Sequence, residues 1–179
     1  TDVESVYNGQ PQTLADVSSD QTKWYDSTKS TLSYPSGMTD AGTYQVTAKI
    51  SDSALAEDPE YAFKGDPDTS KGEDAHTRVF NFTIKKKKIG VIVALDTGGM
   101  PVVSLKNSTD VYTGDDDVNG RAPKLAFNYT SINGYNDTVR PTAVGTYTAT
   151  AIISNASCNY ELDNTYSINF TINKKDVPK

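Results

Sequence analysis

The sequence contains little of the side-chain chemistry on which most enzymes depend. Its one cysteine, Cys158, cannot form a disulfide within the chain, so we expect a small buried apolar side chain, with intermolecular pairing or a reactive thiol as alternatives. Its one histidine, His76, excludes a histidine-rich metal site and leaves any Ser-His-Asp arrangement dependent on a single loop residue. These shortages point away from catalysis.

Long hydrophobic runs and a basic surface are also missing. The longest apolar run, Val91 to Leu95, has the length of a strand, whereas roughly 18 apolar residues are needed to cross a bilayer. The formal net charge is -6 and the pI is near 4.7, while sequence-independent binding of nucleic acid requires a basic face. We therefore expect neither membrane insertion by this chain nor a nucleic-acid partner.

What the sequence does contain is an internal repeat. Three motifs of the first half recur in the same order in the second half: Val6 to Gly9 as Val111 to Gly114, Ala41 to Tyr44 as Val144 to Tyr147, and Asn81 to Ile84 as Asn169 to Ile172. Such self-similarity predicts two copies of one module laid end to end. Because Ile84 to Ile89 aligns with Ile172 to Val177, Val177 is predicted to open a third copy, and we expect a longer array.

The same alignment sets the predicted domain boundaries. Residues 1–87 form the first module, residues 88–175 form the second, and residues 176–179 are the start of a further repeat or a tail. Only six residues precede Tyr7, whereas Ile89 to Val111 supplies 23 residues before the equivalent Tyr112. Either the first module has a short first strand or the sequence starts inside that strand, and an open edge there could pair with another molecule.

The first copy carries an insertion that the second copy lacks. Gly42 to Phe82 spans 40 positions and Gly145 to Phe170 spans 25, which leaves 15 extra residues in the first copy. They lie within residues 51–78, a segment rich in aspartate and glutamate that also contains two prolines. We expect a long exposed loop, with or without a small hairpin, and a function private to this copy would be sought there.

Alternation of apolar and polar residues is the dominant periodicity. From Tyr44 to Ile50 every second residue is apolar, and Tyr147 to Ile153 repeats the pattern. Short strands separated by Gly, Asn, Asp and Pro, in modules of under about 100 residues, are typical of an antiparallel β-sandwich. The Gly-x-Tyr at each strand start adds to this, because such a tyrosine can bond backbone through its hydroxyl at a sandwich corner.

These motifs resemble the MBG-type and related Tyr-Asp-Gly-like repeats of bacterial surface and secreted adhesin-like proteins. The usual pattern is an opening strand, then Tyr-x-Gly, Ala-Gly-Thr-Tyr-Thr-Val-Thr-Ala, Asn-Tyr and a final Leu-Thr-Ile-x-Lys. The matching segments are Tyr7 to Gly9, Ala41 to Ala48 and Phe82 to Lys86 in the first copy, and Tyr112 to Gly114, Val144 to Ala151, Asn159-Tyr160 and Phe170 to Lys174 in the second. The first copy departs from the pattern at the Asn-Tyr position, where Glu60-Tyr61 stands inside the insertion.

The resemblance implies an all-β chain of two tandem immunoglobulin-like antiparallel β-sandwich modules. It also implies an extracellular location, at the cell surface or in the cell wall. The function it implies is that of a spacer or stalk, which can contribute to adhesion, with neighbouring repeats of the same chain as partners. It carries over no catalytic residue.

A binding module proper is the alternative function. Exposed aromatic rings stack on sugars, so Trp24, Tyr25, Tyr129 and Tyr135 are candidate contacts for a glycan or a host surface protein. Core positions are the other interpretation of the same four residues.

One short segment has the spacing of a calcium-binding loop. Asp115, Asp117 and Asn119 alternate, and Gly120 follows at the sixth position, as in the first half of an EF-hand loop. The twelfth position is Ala126 instead of a bidentate glutamate, and no helix is predicted to flank the loop. A solvated acidic turn is one interpretation, and calcium held with help from another loop is the other.

Asp96 begins an Asp-Thr-Gly after an apolar run, which is the signature of aspartic peptidases. Those enzymes need two carboxylates that share a proton, and this chain has one copy of the motif. The repeat explains Asp96 as part of a turn after the opening strand. A peptidase is a remote alternative, and we expect that the chain is not an enzyme.

Four consecutive lysines, Lys85 to Lys88, mark the junction between the predicted modules. One interpretation is a solvated linker that keeps two acidic modules soluble and apart. The other is a site for an anionic polymer such as a wall glycan.

Overall fold

Strands make up most of the regular structure in the computed structural model, which describes residues 2–111, 120–155 and 159–174. The helices in those ranges are short and the sheets form sandwich-like arrangements, so the prediction of an all-β chain is confirmed. Contacts divide the chain into two compact units, Thr1–Lys86 (unit 1) and Lys87–Lys179 (unit 2). Within the described ranges, no helix has the length and apolar character required to cross a bilayer.

Unit 1 is built on one four-stranded sheet. Its strands are β1 (Val3–Val6), β2 (Ser30–Ser33), β3 (Gly42–Ile50) and β4 (Thr77–Lys85), in the order β1-β4-β3-β2. β3 is antiparallel to both β2 and β4, whereas β1 runs parallel to β4. The first strand of unit 1 therefore lies beside its last strand, paired from Val3 opposite Phe82 to Val6 opposite Lys85.

One face of this sheet is buried because apolar residues alternate along the strands. On β4, Phe80, Phe82 and Ile84 are all at most 5% exposed. Two further buried residues, Leu14 and Met38, come from the segment between β1 and β3, outside the strands. Loops therefore supply part of the core of unit 1.

The outer edge of β1 is covered by a glutamine side chain. Gln21, in helix α1 (Ser19–Thr22), accepts a hydrogen bond from the Glu4 N–H through Oε1 (2.7 Å). Through Nε2 it donates one to the Glu4 carbonyl (3.0 Å). Because alternate residues of a strand direct their polar groups to opposite sides, Glu4 faces Gln21 and Ser5 faces β4.

The segment 51–78, predicted as an exposed loop, begins with a helix, α2 (Asp52–Glu57). Ser51 caps this helix by accepting a hydrogen bond from the backbone N–H three residues further on, at 3.2 Å. A single 3-10 turn follows at Thr69–Lys71. The six residues of α2 are too few for an apolar stripe to become visible in the sequence.

Unit 2 contains eight described strands. In chain order they are β5 (Lys87–Ile89), β6 (Val91–Leu95), β7 (Pro101–Leu105), β8 (Leu125–Thr130), β9 (Asn136–Asp137), β10 (Gly145–Ile153), β11 (Tyr160–Leu162) and β12 (Ser167–Ile172). Four of them form an antiparallel sheet in the order β12-β10-β8-β9. The others form an antiparallel hairpin, β6 with β7, and a parallel pair, β5 with β11.

The hairpin and the four-stranded sheet of unit 2 share one core. Val91 of β6 belongs to the same buried cluster as Phe127, Tyr147 and Phe170 of the sheet, and Val103 of β7 is partly buried against it. The rings of Tyr147 and Phe170 are stacked with their centroids 5.6 Å apart. Unit 2 thus buries its apolar faces between two layers of strands.

Both units have a tyrosine at the same corner. Tyr44 and Tyr147 each donate a hydrogen bond from the hydroxyl to the carbonyl four residues upstream, at 2.8 and 3.0 Å. The predicted backbone bond is therefore confirmed in both copies. Each ring also lies over the preceding glycine: a β-carbon would be 3.8 Å from the Tyr44 ring at Gly42 and only 3.3 Å from the Tyr147 ring at Gly145.

Candidate functional site

A buried glutamate holds the end of the insertion against the sheet of unit 1. Glu73 is 9% exposed, and its two oxygens accept the backbone N–H groups of Asp68 (2.7 Å) and Val79 (3.0 Å). These two donors, opposed by burial, hold the pKa of Glu73 below its ordinary value of 4.5. With both oxygens occupied, this carboxylate is a fixed part of the structure.

Arg78 is the cation that accompanies this carboxylate. Alternation along β4 places Arg78 on the same face as Phe80, so its side chain turns inward and is 16% exposed. Its Nη1 lies 3.5 Å from Glu73 Oε2, and its Nη2 donates to the carbonyl of Gly65. The guanidinium therefore joins the middle of the insertion to its end.

The first part of the insertion is fixed by a lysine of unit 1. The Lys29 ammonium lies 2.5 Å from Glu57 Oε2 and 5.2 Å from the centre of the Tyr61 ring. The hydrogen bond to Glu57 is the main cause that raises the pKa of Lys29. Further along, the Phe63 N–H bonds to the Ala75 carbonyl at 2.9 Å. The insertion is thus tied down at several points along its length.

A cleft of about 310 Å³ lies between the insertion and the sheet of unit 1. Its apolar wall is mainly aromatic and consists of Trp24, Phe63 and Phe80 together with Val79. Trp24 packs edge to face on Phe80 with the ring centroids 4.9 Å apart, and its Nε1–H is donated to the Gln21 carbonyl at 2.9 Å. Since that polar atom is already bonded, the indole offers apolar surface to the cleft.

The remaining wall of the cleft is charged. Three cations, Lys64, Lys71 and Arg78, line it together with two carboxylates, Asp68 and Glu73. The Asp68 carboxylate accepts bonds from the hydroxyl and N–H of the residue two positions on, which lower its pKa, and lies 3.5 Å from Lys71. Both carboxylates therefore have donors already, and the formal charge of the lining is one positive.

Tyr25, the neighbour of Trp24 in the chain, lines a different cleft. That cleft, of about 520 Å³, also contains Tyr34 and Leu32. The Tyr25 hydroxyl donates to the Ser30 carbonyl at 3.0 Å, and burial is the main cause that raises its pKa. The rings of Trp24 and Tyr25 meet edge to face at 5.9 Å, so the two candidates touch but do not form one platform.

In unit 2, the structure separates Tyr129 from Tyr135. Tyr129 is 7% exposed and belongs to the core, which leaves its ring no surface on which a sugar could stack. Tyr135 is half-buried, packs edge to face on Tyr147 at 5.7 Å, and donates to the Val139 carbonyl at 2.6 Å. It lines a cleft of about 430 Å³ at the turn after β8. Among the clefts lined by described residues, the one beside Trp24 is the only one that has both an aromatic candidate and charged walls.

Asp96 has a structural role in the turn between β6 and β7. Its Oδ1 accepts the backbone N–H groups of Gly98 (2.9 Å) and Met100 (2.8 Å), and its own N–H bonds back to the Met100 carbonyl. This is the geometry of an Asx turn that closes a hairpin. The Asp-Thr-Gly segment thus occupies the turn that the repeat predicts.

The candidate calcium ligands Asp115, Asp117 and Asn119 lie outside the described residues. Within residues 2–111, 120–155 and 159–174, no group of three or more His, Cys, Asp or Glu side chains is arranged to hold a metal ion.

The motifs of the sequence indicate the insertion, but they do not indicate the ion pair between Arg78 and Glu73 beneath it. A signal was available, because the alternation that buries Phe80, Phe82 and Ile84 also turns Arg78 inward. An arginine on an apolar face needs an anion close by. Glu73, five residues upstream, is brought there by the tight return of the chain, where Asp74 and Thr77 form an isolated bridge.

Comparison with known proteins adds no relative. No protein-family model, no curated protein and no solved structure matches the chain. The functional assignment therefore depends on the residues and their geometry.

Proposed function

We propose that the chain is a pair of immunoglobulin-like modules from a bacterial surface or secreted protein, and that it acts as an extracellular spacer. The tyrosine corners of both units and the two-layer core of unit 2 support the immunoglobulin-like assignment. Of the short motifs that resemble surface repeats, Ala41 to Ala48 and Val144 to Ala151 coincide with the tyrosine corners and with the strands β3 and β10. Neighbouring repeats of the same chain are the proposed partners.

The observation that carries this proposal is the parallel pairing of β1 with β4. A spacer on a cell surface is pulled from its ends, and in unit 1 the first and last strands lie side by side in the same direction. Force applied to the two ends of such a pair slides the strands past each other. All hydrogen bonds between them are then loaded together, whereas in an antiparallel hairpin opened from one end they break one at a time.

Two further contacts join β1 to β4 in addition to the hydrogen bonds of the four paired residues. The Tyr7 N–H continues the pairing with a bond to the Lys85 carbonyl at 2.9 Å. The Lys85 ammonium also lies 2.5 Å from Glu4 Oε2, although both side chains are more than half exposed, and such a pair adds little stability. The four-residue register and the buried Val3, which is 0% exposed, are the main resistance to sliding.

We propose a structural role without catalysis for the same chain. The Asp96 carboxylate is bonded to two backbone N–H groups of its own turn, which supports a structural use of that side chain. The proposed location is extracellular, on the cell surface or in the cell wall, as expected for a spacer of this kind.

Single-molecule stretching of the chain between its two ends tests the spacer function. We expect two unfolding events, each releasing about 300 Å of chain, with one event at distinctly higher force. That event should be unit 1, because its first strand is paired with its last strand over four residues. In unit 2, β5 is paired over only three residues, and with β11 instead of the last strand β12. Two events at equal low force, or a single event, would contradict the proposal.

A matched pair of variants identifies the stronger event. Ser5→Pro removes an N–H on the side of β1 that faces β4 and should lower the higher force. Gln21→Ala removes only the contacts on the outer side of β1 and should leave that force unchanged. Circular dichroism before stretching would show that both variants are folded.

A further inference from the structure

We propose that the cleft between Trp24 and the insertion binds a saccharide that carries a carboxylate. Such binding is independent of the spacer function, because the cleft residues are not among those paired between β1 and β4. It gives unit 1 a recognition role for which unit 2 has no equivalent insertion.

The aromatic wall fits the apolar face of a sugar ring. The C–H groups on one face of a pyranose carry a small positive charge and pack on the negative face of an aromatic ring. Trp24 is half-buried and is held in place by Phe80 and by its bond to the Gln21 carbonyl. A ring fixed in this way loses little conformational entropy when a ligand packs on it.

The charged wall fits a carboxylate. Glu73 and Asp68 already accept donors from the protein, so neither carboxylate needs a cation from a ligand. Among the described residues, Lys64 has no ion-pair partner, and Lys71 forms one ion pair, an exposed contact of 3.5 Å with Asp68. The exposed ammonium groups of Lys64 and Lys71 form the rim of the cleft and are thus available to an anion, although the net charge of the protein is -6.

The size of the cleft limits what can be bound. A volume of 310 Å³ is at the lower limit of the roughly 300–1,000 Å³ found for small-molecule sites. It accommodates one sugar ring with its substituents, with the neighbouring rings of an oligosaccharide outside. Glu73 and Arg78 keep the floor of the cleft rigid. Glu73, in the insertion, accepts the N–H of Val79 in the sheet, and Arg78, in the sheet, donates to the carbonyl of Gly65 in the insertion.

Trigalacturonate and its fully methyl-esterified form are the probes that test this proposal. They share the same sugar rings, and the ester has lost the charges. Trp24 is the only tryptophan, so its fluorescence reports the cleft directly. We expect trigalacturonate to change Trp24 emission with a Kd of about 1 mM or below, and the ester to bind at least about tenfold more weakly.

Charge variants connect this binding to the rim. The double variant Lys64→Gln with Lys71→Gln should weaken trigalacturonate binding roughly tenfold and leave ester binding unchanged. Lys49→Gln with Lys86→Gln removes the same two charges from exposed positions outside the cleft lining and should change neither. Thermal melts of each variant would confirm that folding is intact.

Three results would overturn the proposal. The first is equal binding of the acid and the ester, which would remove the role of the carboxylate. The second is equal weakening by the rim variants and by the control variants, since that would mean diffuse attraction to charge. The third is no change in Trp24 emission at about 10 mM trigalacturonate.

Discussion

The two units use the same corner but treat the start of their last strand differently. In unit 1, Arg78 turns inward there and meets the Glu73 carboxylate. In unit 2, the equivalent residue is Tyr166, whose hydroxyl donates to Asp163 Oδ1 at 2.6 Å, and this bond is the main cause that raises its pKa. The module therefore accepts either a charged or a neutral inward side chain at this position, provided that a carboxylate three to five residues upstream accepts its hydrogen bond.

The choice has a consequence for the segment that precedes the strand. The Arg78 guanidinium has enough donors to bond Glu73 and the Gly65 carbonyl together, so it can organise a long insertion. The Tyr166 hydroxyl has one donor, and it reaches only three residues back to Asp163. Unit 1 thus gains a cleft where unit 2 has a short turn.

The units also differ in how their sheets are completed. In unit 1, β1 adds to the edge of the sheet beside β4. In unit 2, three described strands precede the sheet: β5 pairs in parallel with β11, and β6 and β7 form a hairpin that packs over the four-stranded sheet without joining it. Stability and mechanical strength are therefore expected to be distributed differently in the two copies.

The largest expected effect comes from removing an equivalent core ring in each unit. Phe82 is 0% exposed and Phe170 is 3% exposed, so changing either to alanine should cost about 3–5 kcal/mol. Trp24 belongs to unit 1 and is the only tryptophan. In denaturant titrations, Phe82→Ala should shift the Trp24 fluorescence transition, and Phe170→Ala should leave it in place.

Circular dichroism supplies the control for that comparison, because it reports both units. Phe170→Ala should add an early transition in circular dichroism that is absent from Trp24 fluorescence. If Trp24 fluorescence moved with circular dichroism in the Phe170 variant, the units would not unfold separately.

The next effect distinguishes the two corners. In Gly145→Ala the new methyl group would lie 3.3 Å from the Tyr147 ring, so the ring must shift, at a cost of about 1–3 kcal/mol. In Gly42→Ala the distance is 3.8 Å, which is ordinary contact, and the loss of backbone freedom in the unfolded chain should stabilise unit 1 by up to about 1 kcal/mol. Melting curves of the two variants should move in opposite directions. A shift of the same sign and size in both would refute this difference.

A smaller and equal effect is expected from the corner hydroxyls. Tyr44→Phe and Tyr147→Phe each remove one hydrogen bond to a backbone carbonyl, which should cost about 1 kcal/mol in either unit. Urea unfolding would measure both values. A loss confined to one of the two variants would mean that the corners are not equivalent.

The smallest effect is a dependence of unit 1 on pH. Because the pKa of Glu73 is lowered on folding, its ionised form stabilises unit 1 above pH 4.5, and this stabilisation is lost as the pH falls from there through the lowered pKa. The midpoint of the Trp24 fluorescence transition of the native chain should therefore move to lower denaturant concentration as the pH falls from about 5 to about 3. In Glu73→Gln, which is already less stable because one amide N–H faces a backbone N–H, the decrease should be smaller. An equal decrease in both proteins would assign the pH dependence to other carboxylates.

Much of this structure could be predicted from the alternation of residues, and the failures have specific causes. Strands such as β3 and β10 are evident because every second residue is apolar over nine positions. Tyr129 lies two residues from Phe127 on the same strand, so alternation already places both rings on one apolar face. Of the two interpretations of Tyr129, a core position agrees with this alternation better than an exposed sugar-binding surface does.

The cleft itself could not be predicted in the same way. It depends on Trp24 from one loop and Lys64 from another, which are 40 positions apart in the sequence. Periodicity describes neighbours along a strand, and it carries no information about which loops meet. The anchoring of the insertion by Glu73 and Arg78 is likewise a contact set by the return of the chain.

Gln21 also affects whether neighbouring modules can pair through the edge of β1. Modules joined in one chain have an effective concentration of about millimolar relative to one another. An edge strand with unpaired backbone N–H and C=O groups can therefore readily pair with a strand of a neighbouring module. The amide of Gln21 imitates a peptide group and occupies both polar groups of Glu4 on the outer side of β1. One side chain thus ends the sheet of unit 1 where another molecule would otherwise continue it, and it guards the chain against growing into a fibre.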